Sequence, residues 1–444
     1  MNGSIRDKVA RAKEASVLLA AQGTESKQKA LEAMAEALVS KRAKILEANA
    51  ADIKAAEALV EAGEMTTAMV KRLEVDDEKI DGMIAGIRDV MSLPDPVGIT
   101  IDALELDSGL DLYQVSSPIG LIGVIFESRP DVVPQILSLC LKSGNATVFK
   151  GGSEAQNSNR ALFDVLVEAA GSVPGIPADA FALMETRDDV NAILEFDEHI
   201  DLLIPRGSNA FVRYIQDNTR IPVMGHADGI CHVYVDPSAD PATAAAVILD
   251  SKTQYAAVCN AVETLLVHRG ALDMLPTLLQ PLQEAKVELR LDADCAARMK
   301  EAGNSDFLAA SEEDWDAEYN DLILAVKVVE DIGEAILHIN RHGSGHTDAI
   351  MASDMEAVTR FVSLVDSSSV MHNASTRFAD GFRYGKGAEV GISTNKIHAR
   401  GPVGMEGLMI YKYVLLGGGH VVRDYAGAGA RPFTHVKKDG DLPL

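Results

Sequence analysis

The fold is decided by residues 119–150, which read IGLIGVIFESRPDVVPQILSLCLKSGNATVFK. Two short apolar runs, at 119–126 and 146–150, flank a segment whose apolar residues have helical spacing. Strands this apolar are buried on both faces of a sheet, and a helix between them is typical of a parallel crossover. The alternation continues to residue 224 and resumes from 232 to about 412. We therefore predict an α/β fold with two doubly wound domains, the usual host of a nucleotide.

Composition narrows the class of protein and of partner. The chain has 444 residues, more than one small core can hold, and its 66 acidic against 41 basic residues give a formal charge of −25. Such a surface repels polyphosphate backbones, which argues against general nucleic-acid binding. No apolar stretch approaches the roughly 20 residues of a membrane span, and the first residues lack the apolar core of a signal peptide. With four widely separated cysteines, these features predict a reducing, cytoplasmic location without a membrane partner.

The regions before residue 119 have different patterns. Residues 5–93 predict helices, and the run LPDPVG at 93–98 ends them because it contains two prolines. The following segment, ITIDALELDSGLDLYQV at 99–115, alternates about Ser108-Gly109 and predicts a β-hairpin. Since no partner strand is evident in the sequence, we expect this hairpin to pair with another subunit.

Two turns could bind an anion. No G-x-G-x-x-G fingerprint follows the first apolar strand. Instead Lys150 ends the next strand, Gly151-Gly152 would let a ligand approach the backbone, and Ser153 is expected to cap the next helix. The turn PRGS at 205–208 offers the same chemistry. For both turns, an ordinary strand–turn–helix corner is the alternative interpretation.

Cys259 is the candidate nucleophile. It lies in SKTQYAAVCNAVETLLVH (251–268), where a polar segment turns into a strand. A thiol in such a loop can be activated as a thiolate, and thiolates attack carbonyl carbon well. A small buried hydrophobic residue is the alternative, and we keep that interpretation for Cys140 and Cys295.

A histidine-rich run raises the question of a metal. HINRHGSGHTDAI (338–350) places histidines at 338, 342 and 346, a spacing that forms a metal-binding face on an unbroken helix. Gly343 and Gly345 interrupt that helix. We therefore expect no bound metal.

Cys259, Lys150 and the hairpin together resemble the aldehyde dehydrogenase superfamily. In hydrolytic members an E-L-G-G motif precedes the nucleophile, and its glutamate activates the water that releases the acyl-enzyme. Here GHADGICHVYVD (225–236) occupies that slot, and His226 stands in place of the glutamate. This departure disfavours attack by water.

Four runs narrow the resemblance to the gamma-glutamyl phosphate reductase family: FESRPDV (126–132), QYAAVCNAVETLLVH (254–268), VEDIGEAILHINRHGSGHTDAI (329–350) and KIHARGPVGMEGL (396–408). The resemblance implies NADPH-dependent reduction of L-glutamyl 5-phosphate to L-glutamate 5-semialdehyde and phosphate, in L-proline biosynthesis. It implies a thioester on Cys259. Because glutamyl phosphate is labile, functional coupling to glutamate 5-kinase is a further hypothesis, which no residue of the sequence by itself supports.

The resemblance also assigns roles to individual residues. The developing oxyanion would be stabilised by the Cys259 N–H and the Ser128 side chain, and Arg129 would bind the substrate's carboxylate or phosphate. The expected contacts of NADPH are Lys150 and Ser153 with the adenosine ribose and its 2′-phosphate, Gly207 and Ser208 with the pyrophosphate, and Glu318 with the nicotinamide ribose.

The expected domain organisation follows from these assignments. Residues 1–98 and 117–236 would bind NADP(H), 237–412 would form the catalytic domain, and 99–116 with 413–444 would assemble a homo-oligomer. Three alternatives stay open: a hydrolytic NAD-linked aldehyde dehydrogenase, a zinc-dependent alcohol dehydrogenase such as histidinol dehydrogenase, and a non-enzymatic scaffold.

Overall fold

The computed structural model describes residues 5–185 and 189–443. The chain opens with five helices, as predicted: α1 (Ile5–Ala20), α2 (Thr24–Ser40), α3 (Arg42–Glu61), α4 (Thr67–Leu73) and α5 (Asp77–Ser92). Helix α2 buries Leu31, Met34, Ala35 and Leu38, which recur at helical spacing and join the first hydrophobic core. None of the helices in the described ranges has both the length and the apolar composition needed to cross a bilayer.

The predicted hairpin is confirmed. Strands β1 (Thr100–Asp107) and β2 (Leu110–Pro118) pair antiparallel. Gly109 in the turn between them has a φ of 77°, a conformation that glycine adopts without strain.

The first parallel sheet follows the hairpin. Its elements are β3 (Leu121–Phe126), α6 (Val132–Ser143), β4 (Ala146–Gly151), α7 (Gln156–Gly171), β5 (Phe181–Met184), α8 (Asp189–Leu194), β6 (Leu202–Arg206) and α9 (Asn209–Asp217). The strand order is β5-β4-β3-β6, so the chain crosses from one side of β3 to the other before β6. Such a reversal opens a crevice at the carboxyl ends of the adjacent strands, where ligands of α/β proteins bind.

The second parallel sheet has seven strands. Its elements are β7 (Cys231–Val235), α10 (Pro241–Thr253), β8 (Val262–His268), α11 (Leu275–Glu284), β9 (Glu288–Leu291), α12 (Ala293–Glu301), β10 (Leu308–Ala309), β11 (Ile323–Val329), α13 (Ile332–His342), β12 (Thr347–Met351), α14 (Met355–Leu364) and β13 (Ser369–His372). The order is β10-β9-β11-β8-β7-β12-β13. The predicted α/β fold class is confirmed, since two parallel sheets with crossover helices account for most of the chain.

The predicted boundary at residue 236 is wrong for β7. That prediction placed the strand in the first domain, whereas β7 pairs with β8 and β12 in the second sheet. An apolar strand buried on both faces looks the same in either sheet, so its pattern does not reveal its partners. The chain also returns to the first core beyond the second sheet: the short strands β14 (Gly391–Ser393) and β15 (Gly401–Val403) pair together, and Val390 and Leu408 pack in that core.

The tail of the chain completes the hairpin sheet. Strand β16 (Met409–Leu416) pairs with β2, and β17 (Val436–Lys437) pairs with β1. The hairpin therefore has partner strands within its own chain, which the sequence pattern did not show. Strand β16 stays at the edge of this four-stranded sheet, with Tyr411, Tyr413 and Leu415 exposed.

Candidate active site

Cys259 lies in a turn between α10 and β8. A Cβ on Gly229 would sit 2.2 Å from the Cys259 carbonyl oxygen, so only glycine lets these two backbone segments come together. The Cys231 thiol donates to the same oxygen at 3.2 Å, and Asn260 donates to the Ala379 carbonyl at 2.9 Å. The loop is therefore held by contacts on both sides of the sulfur.

Sheet topology explains which residues meet at Cys259. Strands β8, β7 and β12 are parallel neighbours, so the segments that precede them share one edge of the second sheet. Cys259 precedes β8, Gly229 precedes β7 and His346 precedes β12. Arg206, at the carboxyl end of β6 in the first sheet, acts electrostatically on the Cys259 sulfur. The site thus lies between the carboxyl edge of one sheet and the amino edge of the other.

His226 occupies the position next to the thiol. One ligand atom each of His226, Cys259 and His346 lie within 4.8 Å of one another. His226 Nδ1 lies 2.8 Å from the Ile392 carbonyl oxygen and must donate to it, which leaves Nε2 as the proton acceptor of a neutral ring. Burial lowers the pKa of His226, so the ring is neutral near pH 7 and able to take a proton.

Opposing charges surround the sulfur. Burial and, to a lesser degree, the carboxylate of Glu318 raise the pKa of Cys259 to about 12, although the guanidinium of Arg206 acts in the opposite direction. The buried Arg377 also interacts with this sulfur and donates to Gln254 at 2.9 Å. At neutral pH the thiol therefore keeps its proton in the free protein, and reaction requires a base beside it.

Ser128 lies at the carboxyl end of β3 but is paired away from Cys259. Its φ is 46°, and its amide and hydroxyl both donate to Glu154, at 2.7 and 2.8 Å. The predicted contribution of Ser128 to the oxyanion site would require its hydroxyl to leave Glu154, and that role stays a prediction.

Arg129 follows Ser128 and is exposed. It lines a cleft of about 590 Å³ together with Lys71, Arg72 and Lys79 from the region of α4 and α5. Burial of Arg206 lowers the pKa of that guanidinium, and the positive charge of Arg129 lowers it further. Asp131 also lines this cleft, so four cations against one carboxylate give it a net positive field on an otherwise acidic protein.

The predicted cap of α7 is wrong. Ser153 begins a short 3-10 turn, Ser153–Ala155, in which Gly152 has the cap position, so the serine lies one turn before the helix. Asp52 of α3 supplies the cap instead, accepting from the amides of Asn157 and Ser158 at 3.2 and 2.7 Å. An anion at this corner would therefore depend on side chains rather than on the amino end of α7.

Lys150 is buried in β4, one residue before the end of the strand, and donates to the Gly151 carbonyl. Its position beside the crevice is the predicted one. Its role toward a nucleotide stays a prediction.

The other predicted nucleotide contacts lie at the start of α9. Gly207 and Ser208 are exposed, and the Ser208 amide donates to Glu127 at 2.9 Å. Asn209 donates to Glu318 at 2.6 Å, which brings this helix to the carboxylate that acts on Cys259. The structure therefore joins the predicted pyrophosphate and nicotinamide-ribose positions in one region next to the thiol.

The histidine run divides at the end of α13. His338 and His342 pack against each other with ring centroids 4.5 Å apart, and His338 also contacts Trp315. His346 lies beyond the break and packs against His226, with centroids 5.0 Å apart. The three regularly spaced histidines therefore lie in two different environments: His338 and His342 lie together beside Trp315, and His346 lies beside His226.

Comparisons with known proteins agree with this geometry. The aldehyde dehydrogenase family model matches residues 1–300. The gamma-glutamyl phosphate reductase of Methanococcoides burtonii is 63% identical over 443 residues, covering 100% of this chain and 99% of the relative. The crystal structure of the Thermotoga maritima gamma-glutamyl phosphate reductase has a TM-score of 0.90 at 40% identity, covering 94% of this chain and all of that one.

The chain belongs to the gamma-glutamyl phosphate reductase family. This places it among the oxidoreductases of the aldehyde dehydrogenase family, and the predicted resemblance is confirmed. An acetylating aldehyde dehydrogenase from Geobacillus thermoglucosidasius shares the fold, with a TM-score of 0.61 at 18% identity.

Sequence reasoning missed two residues of the site in this family member. Arg377 was not singled out, because STRFAD (375–380) carries no motif and approaches Cys259 only through folding. His346 was considered only with its neighbours in sequence. Arg206 belongs to a turn that the sequence predicted to bind an anion, but the sequence of that turn does not show that Arg206 acts on the Cys259 thiol.

Proposed function

We propose that this chain catalyses the NADPH-dependent reduction of L-glutamyl 5-phosphate to L-glutamate 5-semialdehyde and phosphate, through a thioester on Cys259, within L-proline biosynthesis. Its relatives of the gamma-glutamyl phosphate reductase family cover the whole chain. The mechanism rests on one observation about the Cys259 thiol. It lies close to His226, and the guanidinium groups of Arg206 and Arg377 act on it electrostatically.

The first step forms the thioester. His226 Nε2 takes the thiol proton, the Cys259 sulfur attacks the acyl carbon, and the bond from that carbon to the phosphate oxygen breaks. The proton held by His226 passes to the departing phosphate, so that the ring returns to its neutral form. Arg206 and Arg377 suit the phosphoryl group, since guanidinium pairs with its oxygens through several hydrogen bonds.

The carbonyl oxygen gains negative charge in this step and in the next. The Cys259 amide donates a hydrogen bond to its own sulfur, and we assign it as the first donor to the developing oxyanion. Ser128 is the proposed second donor once its hydroxyl leaves Glu154.

The residues at the crevice fit NADPH. Lys150 and Ser153 provide a cation and a hydroxyl at the carboxyl end of β4, suited to a 2′-phosphate, and the exposed Gly207 and Ser208 leave room for a pyrophosphate at α9. When bound, the nucleotide supplies hydride to the acyl carbon. The alkoxide left on the Cys259 adduct would re-form a carbonyl as the carbon–sulfur bond breaks, which would release the aldehyde and the Cys259 thiolate, and His226 would pass one proton from solvent to that sulfur.

Substrate binding is assigned to the cationic cleft. We infer that Arg129 pairs with the carboxylate of the glutamyl group, with Lys71, Arg72 and Lys79 adding to the local positive field. The absence of a glutamate at position 226 favours phosphate over water as the partner of the acyl-enzyme in the reverse direction.

The test is the reverse reaction. L-Glutamate 5-semialdehyde and NADP⁺ are incubated with and without inorganic phosphate while the absorbance of reduced cofactor is followed. Turnover that requires phosphate and is abolished in Cys259→Ser supports the proposal, and Cys295→Ser, which alters a buried cysteine outside the site, serves as the control. Phosphate-independent turnover would instead identify a hydrolytic aldehyde dehydrogenase.

We further propose a cytoplasmic homo-oligomer that is functionally coupled to glutamate 5-kinase. The exposed edge strand β16 supports self-association, because an edge with unpaired backbone groups and apolar side chains is a ready surface for a second chain. Coupling would shorten the lifetime of a labile acyl phosphate in water.

A further inference from the structure

His346 carries a polar atom that the proposed reaction does not use. The side chain is fully buried, and its Nε2 has no hydrogen-bond partner among the residues that the structure describes. Buried imidazole nitrogens are ordinarily paired, so an unpaired one beside a cysteine and a second histidine calls for an explanation.

We propose that His226, Cys259 and His346 form a binding site for Zn²⁺ that blocks the enzyme reversibly when occupied. One thiolate and two imidazole nitrogens are donors that zinc prefers, and a set of three protein ligands leaves the fourth tetrahedral position for water or phosphate. The ligand atoms of the three side chains already lie within 4.8 Å of one another.

The surroundings of the two rings match those of metal ligands. A zinc-bound histidine usually donates its other ring N–H to a carbonyl or another oxygen, which fixes the tautomer and the ring direction. His226 Nδ1 lies 2.8 Å from the Ile392 carbonyl oxygen, and His346 Nδ1 lies 2.9 Å from Thr347 Oγ1. The carbonyl fixes the His226 ring with Nε2 as the available ligand, and Thr347 Oγ1 can accept from Nδ1 in the tautomer of His346 that makes its Nε2 available.

Only a small movement completes the site. Bond lengths of about 2.1 Å to nitrogen and 2.3 Å to sulfur in a tetrahedron place ligand atoms about 3.4–3.6 Å apart. Two ligand atoms that lie at the upper limit of 4.8 Å must therefore move about 1 Å closer together. Cys259 lies in a turn and is partly exposed, whereas the His346 ring is fully buried, so the movement falls to the sulfur.

Zinc binding releases one proton, that of the Cys259 thiol. Zn²⁺ forms a bond to the Cys259 sulfur as the S–H bond breaks, and the proton goes to solvent. Arg206 and Arg377 repel the cation, while the carboxylates of Glu318 and Asp228, which act on His226, attract it.

Inhibition follows from the ligand set. The metal would occupy both the sulfur that attacks the acyl phosphate and the nitrogen that takes its proton. This consequence rests on the proposed function, whereas metal binding itself does not.

The experiment uses the full-length protein freed of metal with a chelator that is then removed. Zinc alone is titrated and counted per chain, and Co²⁺ alone is used to detect the thiolate-to-metal absorption band. We expect one ion per chain, a band lost in Cys259→Ser and retained in Cys295→Ser, and loss of activity that a chelator restores.

Two variants separate the site from adventitious binding. His346→Gln removes one ligand, and Thr347→Val, a near-isosteric change, removes only the group that orients it. Each is expected to weaken zinc binding at least about tenfold, the lower end of what losing an outer-shell partner costs. His342→Gln, which alters a histidine that pairs with Asp316 outside the site, is the matched control and should leave binding unchanged.

Three outcomes would overturn the inference: no binding at micromolar zinc, affinity unaffected by both variants, or full activity with the site occupied. Zinc binding with the expected residue dependence, in a protein that lacks the proposed reductase activity, would support the site and defeat the proposed function separately.

Discussion

Lys252 and Glu263 form an ion pair that spans the loop bearing Cys259. Lys252 lies near the end of α10 and Glu263 lies in β8, with Nζ and Oε2 2.6 Å apart and both side chains fully buried. The other oxygen, Glu263 Oε1, has no partner among residues 5–185 and 189–443. The pair ties together the two ends of the loop that carries Cys259.

Breaking this pair is expected to destabilise the protein strongly. Lys252→Met would leave a buried carboxylate without its cation, which costs about 3–5 kcal/mol, while the double change Lys252→Met with Glu263→Gln should cost less. Urea unfolding of the two variants measures the difference. The exposed pair Lys29–Glu25 provides the control, since Lys29→Met should cost no more than about 0.5 kcal/mol. Equal stability of the buried and exposed single variants would contradict the assignment.

The reactivity of Cys259 should depend steeply on pH. Because burial raises the pKa of this thiol to about 12, the thiolate fraction of the free protein should rise about tenfold per pH unit between pH 7 and 9. Alkylation by iodoacetamide, followed at Cys259 by mass spectrometry, reports this fraction. Arg206→Gln should slow alkylation at each pH, since the guanidinium lowers the thiol pKa. A plateau below pH 9 would show that the thiol ionises far more readily.

Gly229→Ala should impair catalysis through backbone displacement. The added Cβ would lie 2.2 Å from the Cys259 carbonyl oxygen and 2.4 Å from its Cα, so the loop must shift. A displacement of about 1 Å at a reacting group can cost about 100-fold in rate, and we expect that loss mainly in kcat. Gly418→Ala, where nothing lies within 4 Å, is the control. Unchanged kcat in Gly229→Ala would remove the proposed constraint.

Lys150→Ala should discriminate between the two pyridine nucleotides. If its ammonium group reads the 2′-phosphate, the change should raise the KM for NADPH about tenfold or more and that for NADH far less, since a hydrogen bond to a charged group is worth about 1.5–3 kcal/mol. Steady-state kinetics with both nucleotides measure the ratio. Equal effects on both constants would show that Lys150 does not contact that phosphate.

The exposed face of β16 should mediate self-association. Tyr411, Tyr413 and Leu415 are two residues apart and therefore lie on the same face of the strand. The ring centroids of the two tyrosines are 5.7 Å apart. Tyr413→Glu should raise the dissociation constant of the homo-oligomer at least about tenfold, as expected for a buried aromatic anchor. Sedimentation measures the change, and Leu337→Glu on the exposed face of α13 is the control. A variant that assembles like the parent chain would exclude this face.

Several features could be read from local sequence because they depend on neighbouring residues. Apolar runs at 121–126 and 146–151 become buried strands, and the alternation about Ser108-Gly109 becomes a hairpin. Motif resemblance likewise placed the chain in its family. These predictions hold because strand burial and turn geometry are local properties.

Tertiary structure decided what lies around the sulfur. His226, Arg206 and Arg377 approach Cys259 from separate segments, and Asp52 caps a helix more than one hundred residues away. The sequence by itself determined the fold class and the candidate nucleophile. The neighbours that set its protonation were decided only by packing, because electrostatic contacts depend on distance in space and leave no periodic trace along the chain.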